Sequence, residues 1–339
     1  MLKAFFQRVL ANESLTQSEM QTIIGEVMDG NVDPVQIAGF LVALRMKGET
    51  PEEIAGAATA MRARMNRVQV ERKPLLDTCG TGGSGTGSFN ISTATAFVVA
   101  SDERVAVAKH GNKAISSLSG SADVLTELGV TITAPISTME SAISELGIGF
   151  LFAPNFHPAM KHAAGIRRSL GIRTIFNLLG PLTNPAGADY QLMGVFSPEL
   201  PAKIAEVLGA LGSTKAWVVH GSDGVDELTI TGPSTVAEWD GTQVNQFEIC
   251  PEDVGLKSAT SDAMKGGNPS ENAATMRRLL GGELDSPLRD AVALNAGAGL
   301  YIAGVEATFK DGVGRALTLL AEGKPLQRVE ALCAHTKAD

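Results

Sequence analysis

The 339-residue chain is 44% hydrophobic and 19% charged, which excludes a disordered protein and leaves room for a large core, expected as two domains or one large domain with a smaller partner. A formal net charge of −9 disfavours a nucleic-acid or anionic-membrane partner, so any anion site has to be local. Cys79, Cys250 and Cys333 are far apart and lack metal-ligand spacing, no signal-peptide pattern opens the chain, and no apolar run has the length of a bilayer span; the expectation is a reduced protein of the cytoplasm with no membrane partner.

Residues 1 to about 70 read as helices only. Met1 to Leu10 is amphipathic, Thr16 with Glu19 makes a capping box for a helix through Met28, and Asp33-Pro34 starts a helix that Gly48 stops. Thr50-Pro51-Glu52-Glu53 repeats the device. From Leu75 short apolar strands alternate with helices, the signature of an α/β sheet. Strands are predicted at 75–77, 105–108, 130–132, 148–152, 192–196, 216–220, 227–231, 234–239 and 243–249, the last three antiparallel. Helices are predicted at about 93–100, 120–128, 138–146 (with Ser137 and Glu140 as a capping box), 157–170, 201–211, 270–280, 287–303, 308–322 and 325–334. The fold class is therefore α/β, with a small all-helical N-terminal domain over 1–70, joined by part of about 165–185, and a large α/β domain with a central mixed sheet over 71–339.

The stretch from Asp77 to Thr95 organises the rest. It reads as a strand end, a glycine loop and a helix start, in which Gly80, Gly82, Gly83, Gly85 and Gly87 leave backbone N–H groups uncovered and Ser84, Ser88, Ser92 and Thr93 add hydroxyls. With Asn90, Ser92 and Thr93 capping the helix, its positive end points at the same place, and a phosphate or pyrophosphate fits. Gly80, Gly82 and Gly85 match the dinucleotide fingerprint, but polar residues separate them from the helix and the next strand ends in Lys109-His110 instead of an acid. No Gly-Lys-Ser/Thr follows at the spacing of a P-loop. Cys79, beside the loop, reads as strand-end packing.

Three groups converge on this loop by the rule that ligands sit at the carboxyl ends of strands. Lys109 to Ser117, followed by Ser119 to Asp123, forms an anion clamp around Lys109 and Lys113. Asp223, Asp226 and Glu227 offer hard oxygens for Mg²⁺ shared with substrate phosphates. The segment with His157, Lys161, His162, Arg167 and Arg168 brings a guanidinium fork toward the Gly180-Pro181 turn, suited to a carboxylate, whereas Arg168 reads as an exposed helix charge.

Gly80-Thr-Gly-Gly83, Phe89-Asn-Ile-Ser-Thr93, Lys109-His-Gly-Asn112 with Ser116-Ser117, Gly120-Ser-Ala-Asp123, Phe176 to Pro185 and Val225-Asp-Glu227, in this order along nearly the whole chain, resemble the anthranilate phosphoribosyltransferase family of tryptophan biosynthesis. The resemblance implies a nucleoside-phosphorylase-like homodimer with a cleft between its two domains. The reaction it implies is anthranilate plus phosphoribosyl pyrophosphate (PRPP) giving N-(5-phosphoribosyl)anthranilate and pyrophosphate, with Mg²⁺. It assigns PRPP to Gly80, Gly83, Ser84, Ser88, Asn90, Ile91, Ser92, Thr93, Lys109, Asn112, Lys113, Ser116, Ser117 and Ser121, and the metal to Ser92, Asp226 and Glu227. Anthranilate would meet Gly80, Asn112 and Arg167, with His110 and His157 lining its path, and no residue is assigned as acid or base. Three positions depart from the family's usual pattern: Ser84 stands in place of Asp, Lys113 of Arg, and Leu118 of Lys. Alternative readings are a pyrimidine nucleoside phosphorylase-like enzyme, which would carry a different first loop, and a non-catalytic nucleic-acid-binding paralogue, which the charge opposes.

Overall fold

A computed structural model of the chain describes residues 2–72, 74–83, 85–114 and 118–337. It begins with four helices, α1 (Leu2–Leu10), α2 (Gln17–Met28), α3 (Pro34–Lys47) and α4 (Pro51–Arg62). Their starts are those the caps predict: the Thr16 hydroxyl accepts from the Glu19 N–H while the Glu19 carboxylate accepts from the Thr16 N–H, and Asp33 accepts from Val35 and Gln36. The third cap also ties the helices together. Glu53 accepts from the Thr50 N–H and, fully buried, takes the Leu15 N–H at 2.9 Å and Lys47 Nζ at 2.8 Å, so its charge is matched inside the bundle.

The second part alternates β1 (Leu75–Asp77), α5 (Ile91–Ala100), β2 (Ala106–Gly111), α6 (Ser121–Leu128), α7 (Ile136–Leu146), β3 (Ile148–Phe152), α8 (Ala153–Phe156), α9 (Lys161–Leu170), α10 (Phe176–Leu179), β4 (Tyr190–Gly194), α11 (Pro201–Ala210) and β5 (Lys215–Gly221). A hairpin of β6 (Ser234–Trp239) and β7 (Val244–Ile249) follows, then α12 (Pro269–Leu280), α13 (Pro287–Ile302), α14 (Phe309–Ala321) and α15 (Lys324–Lys337). The sheet order is β3-β2-β1-β4-β5-β6-β7, parallel from β3 to β5 and antiparallel beyond. The chain builds outward from β1 to β3 and then returns to β1's other side as β4. The connections after β1 and β4 thus leave in opposite directions and open a crevice at their carboxyl ends.

Apolar side chains alternate across the sheet as strand geometry requires. Leu76, Val107, Leu192, Trp217 and Val219 face the cluster built by α5, α6 and α12 to α15. Met193, Ala216, Val218 and Ala237 face a second cluster shared by α11, α10, Ala163 of α9 and the first four helices.

Several predicted elements differ, each through a local cause. Val130 to Ile132 is a turn, because Gly129 at φ +102° closes α6 and commits the Val130 N–H to the Leu125 carbonyl, while the Thr131 N–H goes to the Thr336 hydroxyl. Residues 227–231 are irregular: the Asn295 amide receives the Leu228 N–H and donates to its carbonyl, and the Ser234 hydroxyl takes the Thr229 N–H, so side chains replace a partner strand. The Ser137–Glu140 box does not form, since α7 starts after Pro135 and Glu140 accepts from the Gln69 N–H instead. His157 precedes Pro158 with a non-helical ψ of +62°, which splits the predicted 157–170 helix into a 3-10 turn and α9. No helix among the described residues is long and apolar enough to cross a membrane.

Candidate functional site

The glycine loop leaves β1 and is fixed from three sides. Near its start the Thr81 N–H donates to the Gly194 carbonyl at the end of β4 (2.9 Å), and the Gly82 N–H donates to Asp226 Oδ2 (2.8 Å). Its middle runs through Gly82, Gly83, Gly85 and Gly87, all at φ between +66° and +80°, which side chains would resist. Its far half is held by the segment before α12: the Phe89 N–H donates to the Met264 carbonyl and the Gly266 N–H to the Gly87 carbonyl, both at 2.9 Å.

Asn90, expected to cap α5, makes no side-chain cap bond. Its amide is drawn sideways, donating to the Ser119 carbonyl and accepting from Asn272 Nδ2 at 2.9 Å. Glu227 takes the capping role, accepting from the Ser92 N–H at 3.1 Å, so a carboxylate sits at the positive end of α5. Cys79 is not a nucleophile candidate, because burial pushes its thiol far up.

β2 continues beyond the predicted 105–108 and carries Lys109 and His110 within the strand. Asp77, fully buried, accepts from the His110 N–H at 3.1 Å and from Asn184 Nδ2 at 2.7 Å. Burial pushes its carboxyl up to about 6, against the pull of Lys109 and these donors. Lys109 is itself buried, reaching the Thr78 carbonyl only at 3.4 Å.

His110 Nδ1 donates to the Gly180 carbonyl at 2.9 Å, which leaves its Nε2 to accept from His157 Nε2 at 3.2 Å. Burial lowers the two imidazoles to about 3 and about 4, so both are neutral at neutral pH. Folding therefore excludes protons that the unfolded chain takes up near pH 6.5: the pair's contribution to stability is whole above that pH and is lost as the pH falls toward 4. Asp77, shifted upward, acts in the opposite sense, contributing fully below about 3.8 and losing this as the pH rises through about 6. Replacing both His110 and His157 by Asn should reduce the loss of unfolding free energy between neutral pH and about pH 4.5 by on the order of 3 kcal/mol in urea melts. Equal losses in the two proteins would show that the imidazoles are protonated in place.

At the ends of β4 and β5, the Asp226 and Glu227 carboxylates each have one oxygen engaged by the N–H groups above and a second with no protein partner among the described residues. Burial first, and then Asp226, push Glu227 well above the usual carboxylate range, a state that a bound cation would reverse. Two hard oxygens, with Ser92 on the same cleft wall and its N–H on Glu227, the remaining positions left to water and phosphate, fit Mg²⁺. Asp223, also considered for the metal, is committed elsewhere: it accepts from the hydroxyls of Thr229 and Thr231, both at 2.8 Å.

These groups line one cleft of about 1060 Å³, room enough for two substrates. It contains Gly80, Gly83, Ser88, Asn90, Ser92, Thr93, Lys109, His110, Asn112, Lys113, Ser121, His157, Arg167, Asp226 and Glu227. Ile91 is fully buried behind the loop, and Ser84, Ser116 and Ser117 lie outside the described residues. Five cationic side chains, Lys109, Lys113, Arg167, Arg168 and Arg173, face two carboxylates there, so the cleft favours anions within an acidic chain. Near the histidines its wall turns apolar and neutral, with Met160, Phe176 and Pro181, and half-buried Arg167 stands 5.6 Å from the Phe176 ring centroid. The sequence reading missed Asn272 and Arg173, which have no motif of their own and reach the loop only through the tertiary fold.

The glycosyl transferase family helical bundle domain matches residues 3–65 and the glycosyl transferase family a/b domain matches residues 72–326. The anthranilate phosphoribosyltransferase of Anaeromyxobacter sp. (strain K) is 48% identical over 99% of both chains. The crystal structure of anthranilate phosphoribosyltransferase from Thermus thermophilus superposes with a TM-score of 0.93 at 51% identity, covering 98% of this chain and 99% of that one. The enzyme from Saccharomyces cerevisiae, solved in complex with PRPP and Mg, superposes with a TM-score of 0.90 at 28% identity over 100% of this chain and 98% of that one. With domain models, full-length relatives and solved structures in agreement over this fold, the chain belongs to the anthranilate phosphoribosyltransferase family.

Proposed function

We propose that the chain transfers the phosphoribosyl group of PRPP to the amine of anthranilate, releasing pyrophosphate, in the cleft between a helical unit (1–70 with part of about 165–185) and the remainder (71–339). The observation that carries this is the meeting, in one cleft, of uncovered loop N–H groups and paired carboxylates at the strand ends with an apolar, neutral pocket holding Arg167. The loop, Lys109, Asn112, Lys113 and Ser121 hold the diphosphate and ribose phosphate; Arg167 and Asn112 hold the anthranilate carboxylate; His110 and His157 present neutral faces to its ring. The aromatic amine is neutral at neutral pH, so its nitrogen attacks ribose C1 without a strong base while the bond from C1 to the pyrophosphate oxygen breaks. The residues position the two reactants and exclude water, and loop N–H groups meet the charge growing on the leaving group. Asp226, Glu227 and Ser92 would hold Mg²⁺, which when bound supplies further charge stabilisation to that leaving group.

Exposed Leu10, Val35 and Met46 on the helical unit support a homodimer that covers them, and the three free cysteines suit the cytoplasm. The pyrimidine nucleoside phosphorylase and nucleic-acid-binding alternatives have no comparable support. Loss of anthranilate fluorescence that requires PRPP and Mg²⁺ tests the activity; consumption that ignores PRPP would refute it.

A paired substitution tests the anthranilate end. Arg167→Ala should cost about 1.5–3 kcal/mol, read as a raised anthranilate KM with little change in that for PRPP, because a charge-assisted hydrogen bond is lost. Arg168→Ala, on an exposed side chain at the cleft's border, should change either KM little. The reverse pattern would mean that the helix presents Arg168, not Arg167, to the carboxylate.

A further inference from the structure

Arg173, in the segment between α9 and α10, has no part in the substrate contacts assigned so far. Its Nη2 donates to the Gly83 carbonyl in the middle of the glycine loop, and its Cζ lies 4.2 Å from the centroid of the Phe196 ring, just beyond β4. A guanidinium stacked on a ring uses its face and keeps its in-plane N–H donors for other partners. One of those donors is accounted for by Gly83, and the side chain borders the cleft. The neighbouring residue is held by an acid: the Gly82 N–H donates to Asp226 Oδ2. The glycine loop is therefore held at consecutive residues by an acid, at the Gly82 N–H, and by a planar cation, at the Gly83 carbonyl. Lys109, by comparison, is buried beneath the loop against Thr78 and carries no fork.

We infer that Arg173 binds the diphosphate of PRPP through the in-plane donors that have no partner among the described residues, as a fork at the glycine loop beside the residue that Asp226 holds; this deepens the phosphoribosyl-transfer reading and rests on it. The planar fork matches two phosphate oxygens at once, and Phe196 pre-orients it, so little freedom is lost on binding. Arg173 also joins the loop to the segment following α9, a helix that packs on α2 and α3, so the diphosphate contact bridges both walls of the cleft.

Sodium pyrophosphate titrated calorimetrically into the full-length protein, with and without Mg²⁺, separates the possibilities. Arg173→Ala should weaken pyrophosphate binding about 10- to 30-fold and raise the PRPP KM by a similar factor, with the anthranilate KM within about twofold. Arg173→Lys should recover part of the loss, since it keeps the charge but neither the fork nor the stacking, and Phe196→Leu should weaken binding by a smaller factor of about 3. Pyrophosphate binding unchanged in Arg173→Ala would overturn the inference, as would a loss that Lys does not relieve and that comes with a lowered Tm, the mark of a purely structural strap. A native protein that takes up no pyrophosphate under either condition would overturn the phosphoribosyl-transfer reading and this inference with it.

Discussion

Replacing both Asp226 and Glu227 by Ala should reduce turnover by roughly a thousandfold or more, about 4 kcal/mol of lost leaving-group stabilisation. The pair occupies the ends of β4 and β5, and each carboxylate has an oxygen without a protein partner among the described residues. The substitution also removes the acceptors of the Gly82 and Ser92 N–H groups, but those groups face the cleft and can turn to water or phosphate, so the fold should survive. Asp223→Ala is the internal comparison. Its carboxylate serves Thr229 and Thr231, and it should lower stability while leaving the Mg²⁺ dependence of the rate intact. The measurement is rate against Mg²⁺ concentration, with a chelator as the zero point; a double variant that turns over fully in chelator would remove these residues from metal binding.

Gly194→Ala should be nearly as damaging, although it adds a single methyl group outside every motif that carries the family resemblance. A Cβ at Gly194 would lie 1.4 Å from the Asp226 carbonyl oxygen and 2.3 Å from its carbonyl carbon, and backbone cannot yield as a flexible side chain does. The loop bearing Asp226 and Glu227 would have to lift away, and the Thr81 N–H would be disturbed because it donates to the Gly194 carbonyl. Overpacking of this kind costs about 1–3 kcal/mol in stability, and a carboxylate shifted by about an ångström would lower the rate roughly a hundredfold. Gly314→Ala, in the exposed face of α14 with nothing within 4 Å, should instead be neutral or slightly stabilising. Wild-type activity in Gly194→Ala would show that the 225–227 loop tolerates displacement.

Local chemistry made much of this fold legible. Thr16 with Glu19, Asp33 with Pro34, and Thr50 with Glu53 start helices where their side chains satisfy the first free N–H groups, and that arithmetic involves only neighbours in sequence. The glycine loop and the Val225-Asp226-Glu227 turn were legible for the same reason, since closely spaced residues supply the donors and acceptors. The misreadings share the opposite cause. Asn90 looks like a cap, yet Ser119 and Asn272 claim its amide and distant Glu227 replaces it at the helix end. Leu228 to Thr231 has a strand's composition, yet Asn295 takes the hydrogen bonds a strand would need. Asp223 looks like a third metal carboxylate until two threonines brought by the next turn occupy it. For Asn90 and Leu228 the deciding partner lies far along the chain, and for Asp223 it lies only six to eight residues on but is brought round by a turn that no repeat in the pattern marks.

The second apolar cluster sets an order on how this protein can be made. The first four helices leave the ribosome early, but the surface that completes their core is supplied by Phe176 to Leu182, by α11 and by one face of β4 to β6. A nascent chain that has emerged only through α9 would therefore hold its helical unit with that face bare, however well each helix is capped. Closure waits until Ala237 and its neighbours have emerged, so helices synthesised well before their covering elements are among the last parts to be finished.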